Sequence, residues 1–237
     1  MLVIGHRGAA GHRPENTLAS LRHALTLGAD AVEVDVQMLA GTLIVLHDET
    51  LERTTNGHGH YKAMSLTALR ALDAGDGERV PLLDEVIALT CGRIGLNIEV
   101  KEAGIAAQVV DFVLAATTAL PAWRARILLS SFDVETSAML ARLRGTMSFG
   151  LLYEEAFESA LARALLLGAK SLHMPLAALD AAAVERAQSQ GLAVYVYTVN
   201  ASADIARCRA AGVDGVFSDY PDRVIAVQRG CVNPSPC

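Results

Sequence analysis

Residues 31–37 read AVEVDVQ, and this short run decides more about the fold than any other part of the chain. Side chains alternate along a β-strand, so Glu33 and Asp35 point to one face while the neighbouring valines point to the other. The valine face needs a helix to cover it, and Gly28 suits the left-handed end of a helix over residues 17–27. The run therefore predicts a helix followed by a buried strand that carries two carboxylates into the interior of a sheet.

The alternation of apolar runs with helical periodicity continues along the rest of the chain. It predicts strands over residues 2–5, 31–37, 43–47, 94–100, 126–131, 147–152, 169–173, 192–199 and 213–218. It predicts helices over residues 17–27, 105–120, 134–143, 157–167, 181–190 and 201–211. Strands that alternate with helices form parallel sheets. About eight such units, without a glycine-rich dinucleotide motif, favour an α/β fold of the closed TIM (β/α)8 barrel type over a doubly wound sheet.

The length of 237 residues fits one barrel better than two average domains. We expect a single domain over residues 1–230, followed by a C-terminal tail over residues 231–237. Residues 43–47 follow a short turn at Gly41 and should pair with the preceding strand as a hairpin-like extension. Residues 48–80 form a polar, glycine-rich insertion that we expect to be a lid or small cap over the site, with a surface excursion as the alternative.

The charge and hydropathy of the sequence limit the kinds of partner that we expect the protein to bind. A formal net charge of −6 and a pI of about 5.6 disfavour nucleic acid, because such partners usually require a basic face. No apolar run is long enough to span a bilayer, and a removable signal peptide would take His6 with it. We therefore expect a cytoplasmic protein with no stable membrane association. The four cysteines lack zinc spacing and are expected to be free thiols, with disulfides as the alternative: Cys91, Cys208, Cys231 and Cys237.

Three carboxylates point to a metal site. Glu33 and Asp35 would repel each other inside a barrel unless something compensates their charge, and a hard divalent cation does so through carboxylate oxygens. Residues 97–101 read NIEVK, so Glu99 could complete the site from the next strand. Lys101, one pleat nearer the mouth of the barrel, could contact a phosphate oxygen. The alternatives are a surface location for Glu33 and Asp35, and a buried ion pair between Glu99 and Lys101.

Two histidines stand where predicted strands end, which is where barrel enzymes place catalysis. His6 precedes Arg7, and His47 precedes Asp48, so each imidazole has a charged neighbour. A pair of imidazoles can serve as base and acid near neutral pH, although a lone histidine is more often structural. Arg7 offers a planar fork suited to phosphate, and Asn16 or Thr17 is expected to cap the first helix. His173 is a candidate pocket-lining residue. The remaining histidines are expected on the surface.

These motifs resemble the bacterial, cytosolic glycerophosphodiester phosphodiesterases over nearly the whole chain. The matching strings are residues 6–8 (HRG), 14–17 (PENT), 28–30 (GAD), 33–36 (EVDV), 47–48 (HD), 51–55 (LERTT), 99–101 (EVK), 197–200 (YTVN) and 212–221 (GVDGVFSDYP). One departure is Ala40, where the family usually has an aspartate before the glycine of the turn.

The resemblance implies an enzyme that hydrolyses glycerophosphodiesters to sn-glycerol 3-phosphate and an alcohol. It implies His6 and His47 as an acid–base pair, with His47 favoured as the acid, and Arg7 and Lys101 as phosphate contacts. It implies that one divalent cation, Mg²⁺ or Ca²⁺ with Mn²⁺ as a further option, is bound by Glu33, Asp35 and Glu99. The only partner expected is the small-molecule substrate. The insertion after His47 also matches the family.

Two rival interpretations remain at this stage. Carboxylate-metal chemistry of the enolase type would need an N-terminal capping domain and one ligand per strand, which the sequence lacks. A barrel with a decayed site that only binds or regulates would be expected to have lost some of these polar residues. The alcohol group, the metal, the order of the two histidines and the oligomeric state stay open, as does the choice between attack by water and a cyclic phosphate.

Overall fold

The computed structural model describes residues 1–154 and 156–230, and its strands close into a parallel barrel. The strands are β1 (Leu2–Gly5), β2 (Ala31–Leu39), β3 (Thr42–Val45), β4 (Gly95–Val100), β5 (Ile127–Ser131), β6 (Ser148–Leu152), β7 (Ser171–Pro175), β8 (Ala193–Tyr197) and β9 (Gly215–Ser218). Their hydrogen-bonded order is β1-β9-β8-β7-β6-β5-β4-β2-β3, and β1 also pairs with β2. That last pairing closes eight of these strands into a ring, so the TIM barrel is confirmed and the doubly wound sheet is wrong.

Helices surround the barrel as the alternation predicted. They are α1 (Leu18–Leu27), α2 (Leu66–Arg70), α3 (Leu83–Thr90), α4 (Ala106–Ala116), α5 (Pro121–Arg124), α6 (Val134–Leu143), α7 (Phe157–Leu166), α8 (Ala181–Ser189), α9 (Ser202–Ala210) and α10 (Pro221–Gln228), with short 3-10 turns at Tyr61–Ala63 and Leu176–Ala178. Among the described residues, none of these helices has both the length and the apolar character needed to cross a bilayer.

One predicted helix ends earlier than expected, and α3 is among the helices that were not predicted, each for an identifiable reason. The helix expected over residues 105–120 ends at Ala116, and Pro121 begins a separate short helix because proline favours the first helical turn. Helix α3 was not predicted, because Leu82 at its start cannot cap through its side chain. Glu85 instead accepts the Leu82 N–H at 2.8 Å, which the spacing alone did not reveal.

The hairpin extension is confirmed, since β3 pairs antiparallel with the outer half of β2. Its turn places Ala40 at φ 49° and Gly41 at φ 80°, so Ala40 adopts a left-handed conformation that most side chains disfavour. The insertion packs against this hairpin through a small apolar cluster in which Leu51, Tyr61 and Leu69 surround Ile44. It is therefore an ordered unit with its own core.

Strand β2 has the burial pattern that the alternation of its side chains requires. Val32, Val34 and Val36 are fully buried in the main core between the barrel and the helices. Glu33 and Asp35 are also buried, on the opposite face of the strand. Cys91 and Cys208 are free thiols, as expected, whereas the expectations for Cys231, Cys237 and the tail fall outside the described residues.

Candidate active site

The carboxyl ends of β2 and β4 bring three acidic side chains together. Asp35 and Glu99 are direct partners in the register of the two strands, and Glu33 lies one pleat below Asp35. One oxygen from each of the three carboxylates lies within 4.8 Å of the others. The exposed fractions of Glu33, Asp35 and Glu99 are 2%, 1% and 8%, so the surface alternative is wrong.

The electrostatics of this cluster favour a bound cation. Burial raises the pKa of Glu33 well above its usual range, and the nearby charges of Asp35 and Glu99 raise it further. Burial and the Asp35 charge likewise raise the pKa of Glu99. The Oε1 atom of Glu33 is buried and has no hydrogen-bond partner in the part of the chain that the structure describes. Three converging carboxylates with an unsatisfied oxygen fit a divalent metal ion.

Two cationic side chains flank the carboxylates. The backbone N–H of Arg7 donates to Glu33 Oε2 at 2.8 Å, and the side-chain Nε of Arg7 lies 3.2 Å from Asp35 Oδ2. Lys101 Nζ donates to Glu99 Oε1 at 2.8 Å and lies 3.7 Å from Asp35 Oδ1. Burial alone would lower the pKa of both cations, but the carboxylate charges outweigh it and raise both pKa values. The Glu99–Lys101 ion pair considered from the sequence is therefore present, within reach of the same cavity.

Each predicted catalytic histidine is held by an aspartate. His6 Nδ1 lies 2.7 Å from Asp219 Oδ1, and Asn200 Nδ2 donates to the other oxygen of Asp219 at 2.6 Å. His47 Nδ1 lies 2.6 Å from Asp48 Oδ1. An ionised carboxylate only accepts hydrogen bonds, so in both rings Nδ1 carries a proton and Nε2 is the nitrogen left for chemistry.

The pKa of His47 is lowered, chiefly by burial. The charge of Asp35 and the hydrogen bond to Asp48 oppose that effect, while the charges of Arg7 and Lys101 add to it. Lys101 Nζ also lies 3.2 Å from His47 Nε2, so the second imidazole nitrogen faces a cation rather than bulk solvent. Without a substrate, this environment favours neutral His47.

Several residues that organise the site were not assigned this role from the sequence. Asn16 has φ 57°, donates from Nδ2 to Asp35 Oδ2 at 2.8 Å, and accepts from the Asp35 backbone N–H at 3.2 Å. The helix cap is Thr17 alone, whose hydroxyl accepts from the Ser20 N–H. Asn16, Asp48, Asn200 and Asp219 all lie in the strings that carried the family resemblance, and that was the available signal.

A cavity of about 450 Å³ joins these groups. Its charged side is lined by His6, Arg7, Glu33, His47, Glu99 and Lys101. Its other side is mostly apolar and aromatic, with one carboxylate, and is lined by Phe132, Leu152, Glu154, His173, Tyr197, Thr198 and Phe217. No described side chain of the insertion, residues 48–80, is among those that line this cavity, and the expected lid or small cap stays a prediction.

His173 lies in the less charged side of the cavity, as the sequence suggested. It is fully buried, its Nε2 lies 2.9 Å from the Ser171 hydroxyl, and its ring contacts those of Tyr195 and Phe217. A Cβ at Gly150 would stand 2.4 Å from Nε2, so glycine is needed to make room for the ring. Burial lowers the pKa of His173 to about 3, and this imidazole is therefore neutral at physiological pH.

Comparisons with known proteins give one consistent family. Residues 6–223 match the model of the Glycerophosphoryl diester phosphodiesterase family. A glycerophosphodiester phosphodiesterase of Caldanaerobacter subterraneus subsp. tengcongensis is 35% identical, over 96% of this chain and 98% of the relative. A glycerophosphodiester phosphodiesterase of Bacillus subtilis is 32% identical, over 97% of this chain and 87% of the relative. An Oleispira antarctica phosphodiesterase, solved in complex with the product sn-glycerol-3-phosphate, superposes with a TM-score of 0.87 at 31% identity, covering 97% of both chains.

Proposed function

Because the chain belongs to the glycerophosphoryl diester phosphodiesterase family, we propose that it hydrolyses glycerophosphodiesters to sn-glycerol 3-phosphate and a free alcohol by metal-dependent acid–base catalysis. Glycerophosphodiester phosphodiesterase activity follows from the family and its relatives, so the enolase-type and non-catalytic interpretations are set aside. The observation that carries the finer mechanism is one cavity lined by two aspartate-held histidines and by Glu33 and Glu99, which cluster with the buried Asp35.

The three carboxylates form the proposed metal site. Glu33, Asp35 and Glu99 would hold one divalent cation, with Mg²⁺ or Ca²⁺ best suited to an all-oxygen ligand set and Mn²⁺ also compatible. When bound, the cation supplies positive charge that offsets the charge of the phosphoryl oxygens. The raised pKa of Glu33 and the unpartnered Oε1 atom support this assignment.

Arg7 and Lys101 are the proposed phosphate contacts. Both cations line the cavity, and both are partly buried, where a fixed positive charge acts more strongly on an anion than it does in water. Arg7 presents a planar fork and Lys101 a point charge. Together they would bind the substrate phosphate and stabilise the additional negative charge of the transition state.

Each of the two histidines is assigned one proton transfer of the reaction. We assign His6 as the base that removes a proton from the nucleophile, and His47 as the acid that protonates the departing alkoxide. Asp48 holds Nδ1 of His47, so Nε2 is the nitrogen that would carry the proton to the alkoxide. Each aspartate fixes the tautomer of its ring, so that the correct nitrogen faces the reacting groups.

We further propose that residues 1–230 act as one catalytic unit whose ligand is a small molecule. The described strands share one closed barrel, and the insertion after His47 packs on that barrel through the hairpin rather than forming a separate body. The Oleispira antarctica phosphodiesterase bound to sn-glycerol-3-phosphate supports a substrate of that size in a fold of the same architecture.

The direct test is a panel of glycerophosphodiesters with choline, ethanolamine, glycerol and inositol head groups. Chelator-treated protein and protein restored with Mg²⁺, Ca²⁺ or Mn²⁺ should be compared for release of sn-glycerol 3-phosphate. We expect no release after chelation and recovery with at least one cation. Full activity in the chelated protein would disprove the metal requirement, while release of a different phosphate product would disprove the proposed cleavage.

A further inference from the structure

The insertion reaches the proposed catalytic groups through Arg53, whose guanidinium lies between two carboxylates. Arg53 Nε donates to Asp48 Oδ2 at 2.5 Å. Its Nη1 and Nη2 atoms donate to the two oxygens of Glu15 at 2.6 and 2.9 Å. A planar fork bonded in this way fixes the direction of both carboxylates as well as their position.

Arg53 and its two carboxylate partners, Asp48 and Glu15, form a bridge with two branches. The first branch leads to His47. One oxygen of Asp48 holds His47 Nδ1, and the other accepts from Arg53. The hydrogen bond from Arg53 is the main reason that the pKa of Asp48 falls to about 2, so this carboxylate stays ionised. Within the described chain, His47 and Arg53 are the side chains that form ion pairs with Asp48, so the orientation of the imidazole depends on Arg53.

The second branch leads to Arg7 and is less dependent on Arg53. Glu15 Oε1 accepts from Arg7 Nη1 at 2.6 Å. Arg7 is also held by its backbone N–H on Glu33 and by its Nε beside Asp35. Removing Arg53 would therefore leave Arg7 with contacts of its own, whereas Asp48 would lose the partner that fixes its rotation.

We propose that Arg53 is a positioning residue through which the insertion sets the orientation of His47 and, to a smaller extent, of Arg7. The insertion then acts on catalysis by holding the acid in place, and it does so without a described side chain in the lining of the cavity. The side chain of Arg53 is 48% exposed, so its ion pairs contribute little to stability, and orientation is their main effect. This inference rests on the proposed function, because it takes His47 to be catalytic.

A second anchor between insertion and barrel offers a matched control. Lys62 contacts Glu102 Oε1, and the Tyr61 hydroxyl donates to Glu102 Oε2 at 3.1 Å, while that oxygen also accepts from the Met38 N–H. The side chain of Lys62 is 49% exposed, much like that of Arg53, and its ion pair does not involve His47, Asp48 or Arg7. Lys62→Gln therefore tests attachment of the insertion without disturbing the bridge.

The experiment compares Arg53→Gln, Asp48→Asn, the double variant and Lys62→Gln in the metal-loaded full chain. We expect Arg53→Gln to lower kcat on glycerophosphocholine about 10- to 100-fold with little change in KM, because a misplacement of about 1 Å can cost about 10²-fold. The double variant should be only slightly slower than Asp48→Asn alone, because both changes release the same ring and the remaining loss comes through Glu15 and Arg7. Lys62→Gln should stay near wild type, and Arg53→Lys should keep part of the activity.

A readout independent of turnover separates this inference from the proposed function. The Nδ1 proton of His47 is held by Asp48, so its NMR signal should weaken in Arg53→Gln and Asp48→Asn and persist in Lys62→Gln. Unchanged kcat in Arg53→Gln, losses that add in the double variant, or an equal loss in Lys62→Gln would each overturn the positioning role. If Arg53→Gln does not fold, the same signal and rates in Arg53→Lys decide the question. A wild-type enzyme without turnover would instead defeat the proposed function, and the NMR signal would still report on the bridge.

Discussion

The two sides of the barrel interior differ in the charge and polarity of their inward side chains. On the side of β1, β2 and β4 the inward groups are charged, and Glu33, Asp35 and Glu99 repel one another in a buried space. On the side of β5 to β9 most inward groups are apolar or aromatic, and even the buried His173 is kept neutral. The contrast teaches that the charged side is arranged for binding at a cost in stability, whereas the aromatic side provides shape and packing.

The largest effect should come from neutralising the charged side. Glu33→Gln or Asp35→Asn should lower kcat on the order of 10⁴-fold, since a metal contributes several kcal/mol of charge stabilisation. Calorimetry should show weaker binding of divalent cations, and circular dichroism should show a folded barrel.

The same variants should behave differently in metal-free protein. The folded pKa of Glu33 lies above its unfolded value, so its contribution to stability is present at low pH and is lost as the pH rises through the folded pKa. At neutral pH, metal-free Glu33→Gln should therefore be at least as stable as the metal-free wild type. Unchanged cation affinity and activity would remove these carboxylates from the metal site.

The next effect tests the histidines on the charged side. A departing alkoxide must be protonated, whereas a nitrophenolate is a stable anion. On glycerophosphocholine, His47→Ala should therefore lower kcat on the order of 10²–10⁴-fold, as is typical of a proton-transfer residue. On a nitrophenyl diester of glycerol phosphate, its loss of kcat should be far smaller. His6→Ala should lose similar factors on both esters, because both need the nucleophile activated. Rates on the two esters are compared within each variant, which cancels general damage to the site.

The pattern of losses decides the assignment of acid and base. Equal losses in His47→Ala on both esters would show that His47 is not the acid. A loss in His6→Ala that the better leaving group relieves would exchange the two roles.

A smaller effect is expected on the aromatic side when the pH falls. The folded pKa of His173 is about 3, below the value near 6.5 of an unfolded histidine, so its contribution to stability is complete above pH 6.5 and is lost as the pH falls toward 3. Between pH 6.5 and 5 the free energy of unfolding should drop by about 2 kcal/mol from this group, at about 1.4 kcal/mol per pH unit. Urea unfolding with chelator present measures it.

His173→Gln is the matched variant for this pH effect. Each protein is compared with itself across pH, which cancels the constant cost of changing the side chain and the titration of groups that both proteins share. Tyr195, the titratable residue whose ring contacts His173, has a raised pKa and stays uncharged throughout this range. If wild type and variant lose stability equally on acidification, His173 is not the buried neutral group described above.

The smallest effect should come from one hydroxyl on the aromatic side. The Tyr197 hydroxyl donates to the Tyr153 carbonyl at 2.6 Å, so Tyr197→Phe should cost about 1 kcal/mol in the free energy of unfolding. It should change kcat less than the variants of Glu33, Asp35, His6 and His47. Tyr195→Phe is the control on the same strand, because within the described residues the Tyr195 hydroxyl has no hydrogen bond. A larger loss for Tyr195→Phe in urea unfolding would contradict this ranking.

The sequence predicted the charged side better than the residues that support it. Glu33, Asp35 and Glu99 were placed on one face because side-chain direction in a strand repeats every two residues, and that period is local. Asn16 was expected only to cap a helix, and its contact with Asp35 could not be read from spacing, since it requires the first loop to fold back over the strand ends. The helix α3 was missed because its cap is a glutamate within its own first turn.

What the sequence determined by itself was therefore the alternation of strands and helices, the barrel, and the residues that face its interior at the mouth. What only the tertiary structure decided was which distant groups meet. Asp219 contacts His6 across 213 positions, and Arg53 lies between Asp48 and Glu15. The physical reason is that periodicity fixes the direction of a side chain from its neighbours along the chain. Contacts between distant segments depend on closure of the barrel and on packing of the loops, which no local pattern encodes.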